Sequence, residues 1–117
     1  MELNKIRRGE IWYVRLDPAE GDETKKTRPC LVLQNDIGNE FSNTTVVVPL
    51  LANGNYPFLV NITPMPNNGL DKIRGLNLSK IRSVSISRFV NKIGKLEDQY
   101  WSQIQRALLA ECGFINS

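Results

Sequence analysis

The residues best suited to chemistry lie between Gly21 and Asp36, in the stretch GDETKKTRPCLVLQND. Here Glu23 comes five residues before Arg28, with two lysines between them. A guanidinium can bind a phosphate through two parallel hydrogen bonds and can stabilise charge that develops on its oxygens. A carboxylate nearby can act as a general base if burial adjusts its pKa. These residue types are compatible with cleavage of an RNA phosphodiester by its own 2′-hydroxyl, a reaction that needs no metal.

The chain contains no histidine, and this excludes several catalytic classes. Ser-His-Asp and Cys-His mechanisms and HExxH zinc sites all require an imidazole. The sequence also has no GxxxxGK[ST] or GxGxxG stretch and no cluster of acids spaced for a metal ion. We therefore expect neither a cofactor nor a metal. The alternative role for Arg28 is a structural ion pair with Glu23 or Asp22.

Length and composition predict one ordinary globular domain over residues 1–117, with 41% apolar and 23% charged residues. No stretch approaches the roughly 18 apolar residues of a membrane span, and the N-terminus MELNKIRRGE has no apolar signal region. A cytoplasmic protein without a membrane partner is expected. Cys30 and Cys112 form no CxxC pair and lie in apolar surroundings, so we interpret both as reduced core residues.

Positive charge is concentrated between Asp71 and Lys95, although the net charge of the chain is only +3. Asp71 is the only acid in this segment, which carries seven basic residues: Lys72, Arg74, Lys80, Arg82, Arg88, Lys92 and Lys95. Such an excess indicates either a polyanionic partner, such as nucleic acid or an acidic protein, or simply a solvated basic face.

Several short segments have the composition of β-strands. EIWYVRL (Glu10–Leu16) and CLVLQ, which follows Pro29 as a strand's first residue, are two of them. TTVVVPLL (Thr44–Leu51) is the strongest, and Pro49 predicts an edge or a bulge at its end. ANGN then predicts a turn, YPFLVNI the returning arm of a hairpin, and GLNLSKIRSVSIS one or two short strands.

Only the end of the chain has a strong helical pattern. Apolar residues recur every fourth position at Leu96, Tyr100, Ile104, Leu108 and Cys112, and Gly113 suits the helix end. Short strands followed by one packed helix predict a mainly β domain, a small antiparallel barrel with a C-terminal helix.

A family resemblance is carried by blocks that occur in order along nearly the whole chain. RRGEIWYVRLDP, TRPCLVLQND, VVVPL and NYPF, then KIRSVSISRF and KIGKLEDQ, resemble the MazF/PemK family of toxin endoribonucleases. The resemblance implies an SH3-like barrel of CcdB/MazF type that forms a homodimer. It also implies ribosome-independent, metal-independent cleavage of single-stranded RNA to a 2′,3′-cyclic phosphate and a 5′-hydroxyl. An acidic, partly disordered MazE-like antitoxin is the expected protein partner.

The same resemblance assigns site residues by position. Arg28 matches the family's catalytic arginine, and Glu23 matches a loop acid linked to cleavage in some members. The segment around Arg82 matches one that lines the RNA groove. The residues expected to contact RNA are Thr24, Lys25, Lys26, Thr27, Asn55, Ser79, Lys80 and Arg82.

Two positions depart from the family pattern. Many relatives have Thr or Ser directly after the VVVPL-like strand, where its hydroxyl partners the catalytic arginine, but this chain has Leu51. Thr45 lies six residues earlier, about 20 Å away at ~3.3 Å per strand residue, too far to substitute. Relatives also often have an acid where this chain has Ser79, whose hydroxyl carries no negative charge. We expect cleavage through Arg28 with reduced or altered specificity.

Three functions therefore remain open from the sequence. The first is a sequence-specific endoribonuclease toxin. The second is a catalytically impaired member that acts by binding RNA or antitoxin, as Leu51 and Ser79 would suggest. The third is a CcdB-type gyrase poison that binds its target through the terminal helix. Metal-independent RNA cleavage would separate the first from the other two.

Overall fold

The computed structural model describes residues 6–16 and 27–116. Within these ranges, helix α1 spans Asp36–Phe41 and helix α2 spans Trp101–Glu111. Short 3₁₀ turns occur at Leu78–Lys80, Ile86–Arg88 and Asp98–Tyr100. The strands are β1 (Glu10–Arg15), β2 (Thr27–Val32), β3 (Thr44–Leu51), β4 (Leu59–Ile62), β5 (Arg74–Asn77), β6 (Arg82–Ser85) and β7 (Phe89–Lys95).

All strand pairs in the described sheet are antiparallel, and the strand order is β4-β5-β3-β2-β1-β7, with β6 also paired to β3. Ile11 of β1 and Ile62 of β4 belong to one buried cluster with Ile104 of α2. Three strands separate β1 from β4, which would hold them about 19 Å apart in a flat sheet. The sheet therefore curls around a shared core, as predicted for a small barrel with a terminal helix.

β3 is a central strand, so of the two alternatives predicted from Pro49, an edge or a bulge at the strand's end, the edge was wrong. It pairs with β2 through Val47–Pro49 on one side. On its other side it pairs with β6 through Thr44–Val47 and with β5 from Leu50. Pro49 falls between the end of the β6 pairing and the start of the β5 pairing. A residue without an N–H fits there because, on that side of β3, the β6 ladder has ended and the β5 ladder has not begun, although Pro49 is still opposite Cys30 of β2 on the other side.

Two further expectations about the strands were also wrong. Pro29 is the third residue of β2 and not its first, and β2 pairs with β3 only from Cys30 onward. β4 is not the returning arm of a hairpin with β3, because β5 lies between them. The Asn61 side chain bonds Gly54 N–H at 3.2 Å and Gly54 C=O at 2.9 Å, so side-chain contacts hold the connection against β4.

β5 and β6 confirm the two short strands predicted in GLNLSKIRSVSIS, but β7 was not predicted. Its sequence FVNKIGK has an exposed centre at Val90–Lys92 and therefore no clear alternation of apolar and polar residues. β7 lies beside β1, where two register shifts interrupt the pairing. Such irregular pairing removes the period-two pattern on which strand prediction depends.

α2 confirms the predicted terminal helix, although it begins later than the apolar stripe. Leu96 is buried but precedes the helix, and Tyr100, Ile104 and Ala107 supply the packed face. Gly113, at φ +82°, and Phe114 donate to Ala110 and Leu109 carbonyls, which is the Schellman arrangement expected of Gly113. No helix in the described part of the chain has the length and apolar character needed to cross a bilayer.

The two cysteines have different environments. Cys30 is fully buried, as predicted. Cys112 is exposed, so its assignment to the core was wrong. The helix ends at Glu111, and Cys112 lies in the cap, where the backbone departs from helical geometry and the every-fourth-residue stripe no longer points at the core.

Candidate active site

Arg28 and Arg82 lie on the same face of the sheet. Residues directly opposite each other across an antiparallel pair share a face, as do alternate residues along a strand. Arg28 and Val32 alternate along β2, Val32 pairs with Val47, and Val47 pairs with Arg82. The same face carries a small second cluster of buried residues, separate from the main core: Val14, Cys30, Val47 and Val84.

The Arg28 side chain is half-buried on β2, opposite Val14 of β1. Among the residues that the structure describes, none forms a hydrogen bond or ion pair with its guanidinium. Arg28 is thus held on a paired strand, and its donors have no partner among the described residues, which suits a residue that binds a phosphate. The alternative partners, Asp22 and Glu23, lie outside the described residues.

Arg82 and Arg88 both reach the end of β1. Arg82 Nη2 donates to Leu16 O at 3.1 Å, and Arg88 Nη1 donates to Arg15 O at 3.5 Å. Arg15 pairs with Thr27, the residue before Arg28. The guanidinium of Arg82 therefore lies at the end of the β1–β2 pair that carries Arg28.

The pKa of Cys30 agrees with the position of the Arg82 guanidinium near this end of the sheet. Burial raises the pKa of the Cys30 thiol to about 12, and the positive charge of Arg82 partly opposes that rise. Cys30 is two residues from Arg28 and shares its face. Because the thiol stays protonated at physiological pH, Cys30 contributes packing beneath the arginines and not a nucleophile.

Glu10 is a buried carboxylate that the sequence interpretation missed. Its Oε1 accepts from the Arg7 backbone N–H at 3.0 Å and from Trp12 Nε1 at 2.9 Å, and its Oε2 pairs with Lys92 Nζ at 3.2 Å. Trp12 then meets Phe89 edge to face, with ring centroids 5.5 Å apart. Glu10 thereby joins β1 to β7 beside the second cluster, on the same face of β1 as Trp12 and Val14. Its two-residue spacing from Trp12, which puts both on one strand face, was the available signal.

The position of Leu51 bears directly on Arg28. The β2–β3 pairing ends at Cys30 opposite Pro49, and Arg28 and Leu51, each two residues beyond that pair, are on the same face of the sheet. A hydroxyl at residue 51 would therefore be on the face that carries the guanidinium. Thr45 cannot replace it, because Thr45 is buried and donates to Asn39 Oδ1 at 2.6 Å.

Ser79 and Lys80 lie in the exposed 3₁₀ turn between β5 and β6. The Ser79 hydroxyl donates to Asn77 Oδ1 at 2.5 Å, and Asn77 also accepts from the Ser79 N–H. The hydroxyl is thus engaged in capping this turn. Lys80 is exposed and has no hydrogen-bond or ion-pair partner among the described residues.

Asn55 is not brought together with Arg28. It lines a cleft of about 420 Å³ with Tyr56, Pro57, and Arg106 and Ala110 of α2. α2 packs on the main core through Ile104 and Ala107, whereas Arg28 lies on the opposite face of the sheet. The predicted RNA contacts thus fall into at least two separate regions of one chain.

Of the remaining predicted residues, the structure describes only Thr27. Thr27 is exposed at the start of β2. Glu23, Thr24, Lys25 and Lys26 lie outside the described residues.

Several side chains of the basic segment form ion pairs or hydrogen bonds within the protein, which its sequence does not indicate. Arg74 pairs with Asp71 at 3.2 Å and Lys92 pairs with Glu10, while Arg82 and Arg88 bond to backbone carbonyls of β1. Lys72, Lys80 and Lys95 are exposed. The local excess of positive charge is therefore partly a structural feature of the sheet.

Sequence comparisons connect this arrangement to known proteins. The family model for the PemK-like, MazF-like toxin of type II toxin–antitoxin systems matches residues 7–111. Endoribonuclease EndoA of Bacillus subtilis (strain 168) is 32% identical over 114 residues, which cover 95% of this chain and 97% of that protein. Endoribonuclease MazF9 of Mycobacterium tuberculosis is 34% identical over 110 residues, covering 88% and 92%.

Structural comparisons give the same fold. Mycobacterium tuberculosis toxin MazF-mt6 superposes with a TM-score of 0.76 at 17% identity, covering 91% of this chain and 98% of that one. A mycobacterial endoribonuclease in complex with its cognate antitoxin gives 0.74 at 18% identity, covering 96% and 99%. MazF of Deinococcus radiodurans gives 0.73 at 22% identity, covering 92% and 96%. The predicted MazF-like fold is confirmed, and the family model together with the two curated relatives shows that this chain belongs to the MazF/PemK family of type II toxin–antitoxin toxins.

Proposed function

We propose that this chain is a toxin endoribonuclease that cleaves single-stranded RNA at short sequences without a metal ion. The observation that carries the proposal is Arg28, whose guanidinium sits half-buried on a rigid strand with no partner among the described residues. The endoribonuclease names of both curated relatives support the same activity. The proposed place of action is the cytoplasm, where mRNA is accessible.

In the proposed reaction, the 2′-oxygen attacks the adjacent phosphorus and the bond from phosphorus to the 5′-oxygen breaks. The products are a 2′,3′-cyclic phosphate and a 5′-hydroxyl. Arg28 stabilises the negative charge that grows on the phosphoryl oxygens. Glu23 is the proposed base that accepts the 2′-hydroxyl proton, water supplies the proton to the departing 5′-oxygen, and the proton on Glu23 returns to the solvent.

Leu51 supports the second candidate, a catalytically impaired member of the family. Its side chain has no donor to offer a phosphate or the Arg28 guanidinium. Loss of one positioned donor typically lowers a rate by about 10²–10³-fold. An impaired member would retain the fold and bind RNA or antitoxin without efficient cleavage.

We also infer a homodimer and an acidic antitoxin as partners. Ile37 and Phe41 lie one helical turn apart on α1 and are 74% and 81% exposed, an unusual amount of apolar surface for six helical residues. Beside the start of α1 is a cleft of about 660 Å³, lined in part by Leu33, Val46 and Leu108. A second copy could cover this surface. The antitoxin is supported by two solved structures of similar proteins. One is a mycobacterial endoribonuclease in complex with its cognate antitoxin, and the other is MazE–MazF from Deinococcus radiodurans.

The test is incubation of the purified protein with a long, weakly structured RNA in EDTA, followed by mapping of the new ends. We expect discrete cuts at a recurring short sequence, with cyclic phosphate ends. Arg28→Ala should lower the cleavage rate by about 10²–10³-fold, because it removes the charge-stabilising donor. Arg28→Lys retains the charge without the bidentate fork and should recover only part of the rate.

Lys72→Ala is the matched control, since Lys72 is an exposed cation that is not among the residues expected to contact RNA. Its cleavage rate should stay close to that of the unmodified protein. Absence of cuts by a folded protein at high concentration would reject efficient cleavage and favour the impaired candidate. Inhibition of DNA gyrase by the same sample would indicate the CcdB-type activity instead.

A further inference from the structure

An aromatic side chain lies beside Arg28 on the same face of the sheet. Trp12 of β1 is opposite Cys30 of β2, and Arg28 lies two residues before Cys30 on that strand. Trp12 and Arg28 are therefore diagonal neighbours across the β1–β2 pair, about 7–8 Å apart and within reach of long side chains. The Trp12 side chain is half-buried, so part of its surface is accessible on the face that carries the guanidinium.

Two contacts fix the orientation of this indole. Trp12 Nε1 donates to Glu10 Oε1 at 2.9 Å, which uses the only hydrogen-bond donor of the side chain. The ring also meets Phe89 edge to face, with 5.5 Å between the centroids and 70° between the ring planes. Because the ring is already held in place, a flat ligand that stacks on it loses little of its affinity to the ordering of this side chain.

The charge around the indole favours a polyanion. Lys92 of β7 is opposite Trp12, and its side chain is 49% exposed. Lys92 Nζ lies 3.2 Å from Glu10 Oε2, so it also offsets the charge of the carboxylate that holds the indole. Across the sheet, Trp12 thus lies between a lysine on β7 and Arg28 on β2. Proteins that bind single-stranded nucleic acid combine aromatic side chains with positive charge in this way.

We propose, on the basis of the ribonuclease function proposed above, that Trp12 binds an unpaired base of the RNA by stacking. The stacked base belongs to a nucleotide next to the phosphate that Arg28 binds, because the diagonal spacing of the two residues is one that neighbouring nucleotides can span. Trp12 Nε1 is bonded to Glu10, so the indole contacts the flat face of the base and does not read its edge. Trp12 takes no part in the proton transfers.

The first measurement is tryptophan fluorescence, since the chain has only two tryptophans and each can be observed alone. Trp101→Phe leaves Trp12 as the reporter and keeps a ring beneath the Arg8 guanidinium, which lies 4.1 Å from the Trp101 ring centroid. The probe is a mixed-sequence single-stranded oligodeoxyribonucleotide, which has bases but no 2′-hydroxyl and therefore cannot undergo the proposed reaction. We expect loss of Trp12 fluorescence on binding, because a stacked base quenches the indole.

Two controls show whether the quenching comes from a base at this position. Inorganic polyphosphate has the negative charge of a nucleic acid but no bases, so it should leave the fluorescence of Trp12 unchanged. Trp12→Phe leaves Trp101 of α2 as the reporter, and the oligonucleotide should leave its fluorescence unchanged.

The second measurement is the affinity of Trp12→Leu for the same oligonucleotide at several salt concentrations. Leucine retains apolar packing against the second cluster but has no ring. Affinity should fall by about 5-fold to 150-fold, the cost of losing one stacked base. The slope of log affinity against log salt should match that of the unmodified protein. Arg28→Ala should instead lower the slope by about 0.7, the effect of one lost phosphate contact with a single strand.

No binding of the oligonucleotide, unchanged Trp12 fluorescence at saturation, or equal quenching by polyphosphate would overturn the stacking role. Quenching of Trp12 in a protein that cleaves no RNA would retain the base site and reject the proposed ribonuclease function. Cleavage of RNA by a protein whose Trp12 is not quenched would reject the base site alone. Failure of the two proposals is therefore distinguishable.

Discussion

At the scale of single residues, burial separates the two cysteines chemically. The thiolate is the reactive form, and burial raises the pKa of Cys30 to about 12, whereas Cys112 is exposed. We predict that iodoacetamide at pH 8 modifies one thiol per chain in the native protein and two after unfolding. Intact-mass measurement counts the adducts, and Cys112→Ser should give none in the native state. Rapid native alkylation of Cys30 would contradict the buried environment.

Leu51 provides the second prediction at this scale. Leu51 is on the face of the sheet that carries Arg28, two residues beyond the Cys30–Pro49 pair, so a hydroxyl there would be on the same side as the guanidinium. Leu51→Thr should raise the rate of RNA cleavage, by up to about 10²–10³-fold if the missing donor is fully restored. Threonine is also well accepted in strands, so the fold should persist.

Thr45→Ala does not serve as a neutral control here, because Thr45 holds Asn39 in the interior. Ala52→Thr is the better control: residue 52 is exposed, just past the end of β3, and should leave the rate unchanged. Equal rates for Leu51→Thr and the unmodified protein would show that the residue at position 51 does not limit catalysis.

At the scale of elements, close backbone contact determines how β7 joins the sheet. A Cβ added at Gly94 would collide with the backbone carbonyl oxygens of Asn67 and Asn68. Gly94→Ala should therefore separate β7 from the Asn67 turn and lower the free energy of unfolding by about 1–3 kcal/mol. Chemical denaturation measures the change.

Gly113→Ala is the matched control for that substitution. Gly113 has φ +82°, but an added Cβ there would have no neighbour within 4 Å. The expected loss is about 1 kcal/mol, from the left-handed backbone alone. If Gly94→Ala cost no more than Gly113→Ala, steric contact with the Asn67 turn would not be important for stability.

The same scale shows how much of the fold was predictable. β1 and β3 were predicted nearly to the residue because β-branched and aromatic runs have strong local preferences. β7 was missed because its register shifts disrupt alternation. The supposed β3–β4 hairpin was wrong because turn residues at positions 52–55 indicate only a change of direction. They do not specify which later strand pairs with β3, and β5 does so.

At the scale of the whole molecule, the exposed face of α1 predicts self-association. Ile37 and Phe41 are both exposed and one turn apart. We predict that the protein sediments with twice the mass of one chain and that Phe41→Ser weakens association by roughly 30-fold or more, the factor for about 2 kcal/mol from a buried aromatic anchor. Phe114→Ser is the matched control, as Phe114 is 76% exposed beyond the end of α2. A dimer lost in Phe114→Ser but retained in Phe41→Ser would move the interface to the C-terminus.

The sequence by itself determined the local features of this protein. Strands such as β1 and β3, the terminal helix with its glycine cap, the lack of histidine and the charged residues before Arg28 all depend on residue types and short spacings. Such features are encoded by backbone preferences over a few neighbouring residues. The family blocks predicted the activity, and each block is a run of residues that are neighbours in the chain.

Only the tertiary structure decided which distant residues meet. Curling of the sheet brings Arg82 to Leu16, 66 positions away in the chain. It also puts Asn55 beside α2, away from Arg28. These outcomes depend on strand order and on burial of two apolar clusters on opposite faces, and no local pattern carries that information.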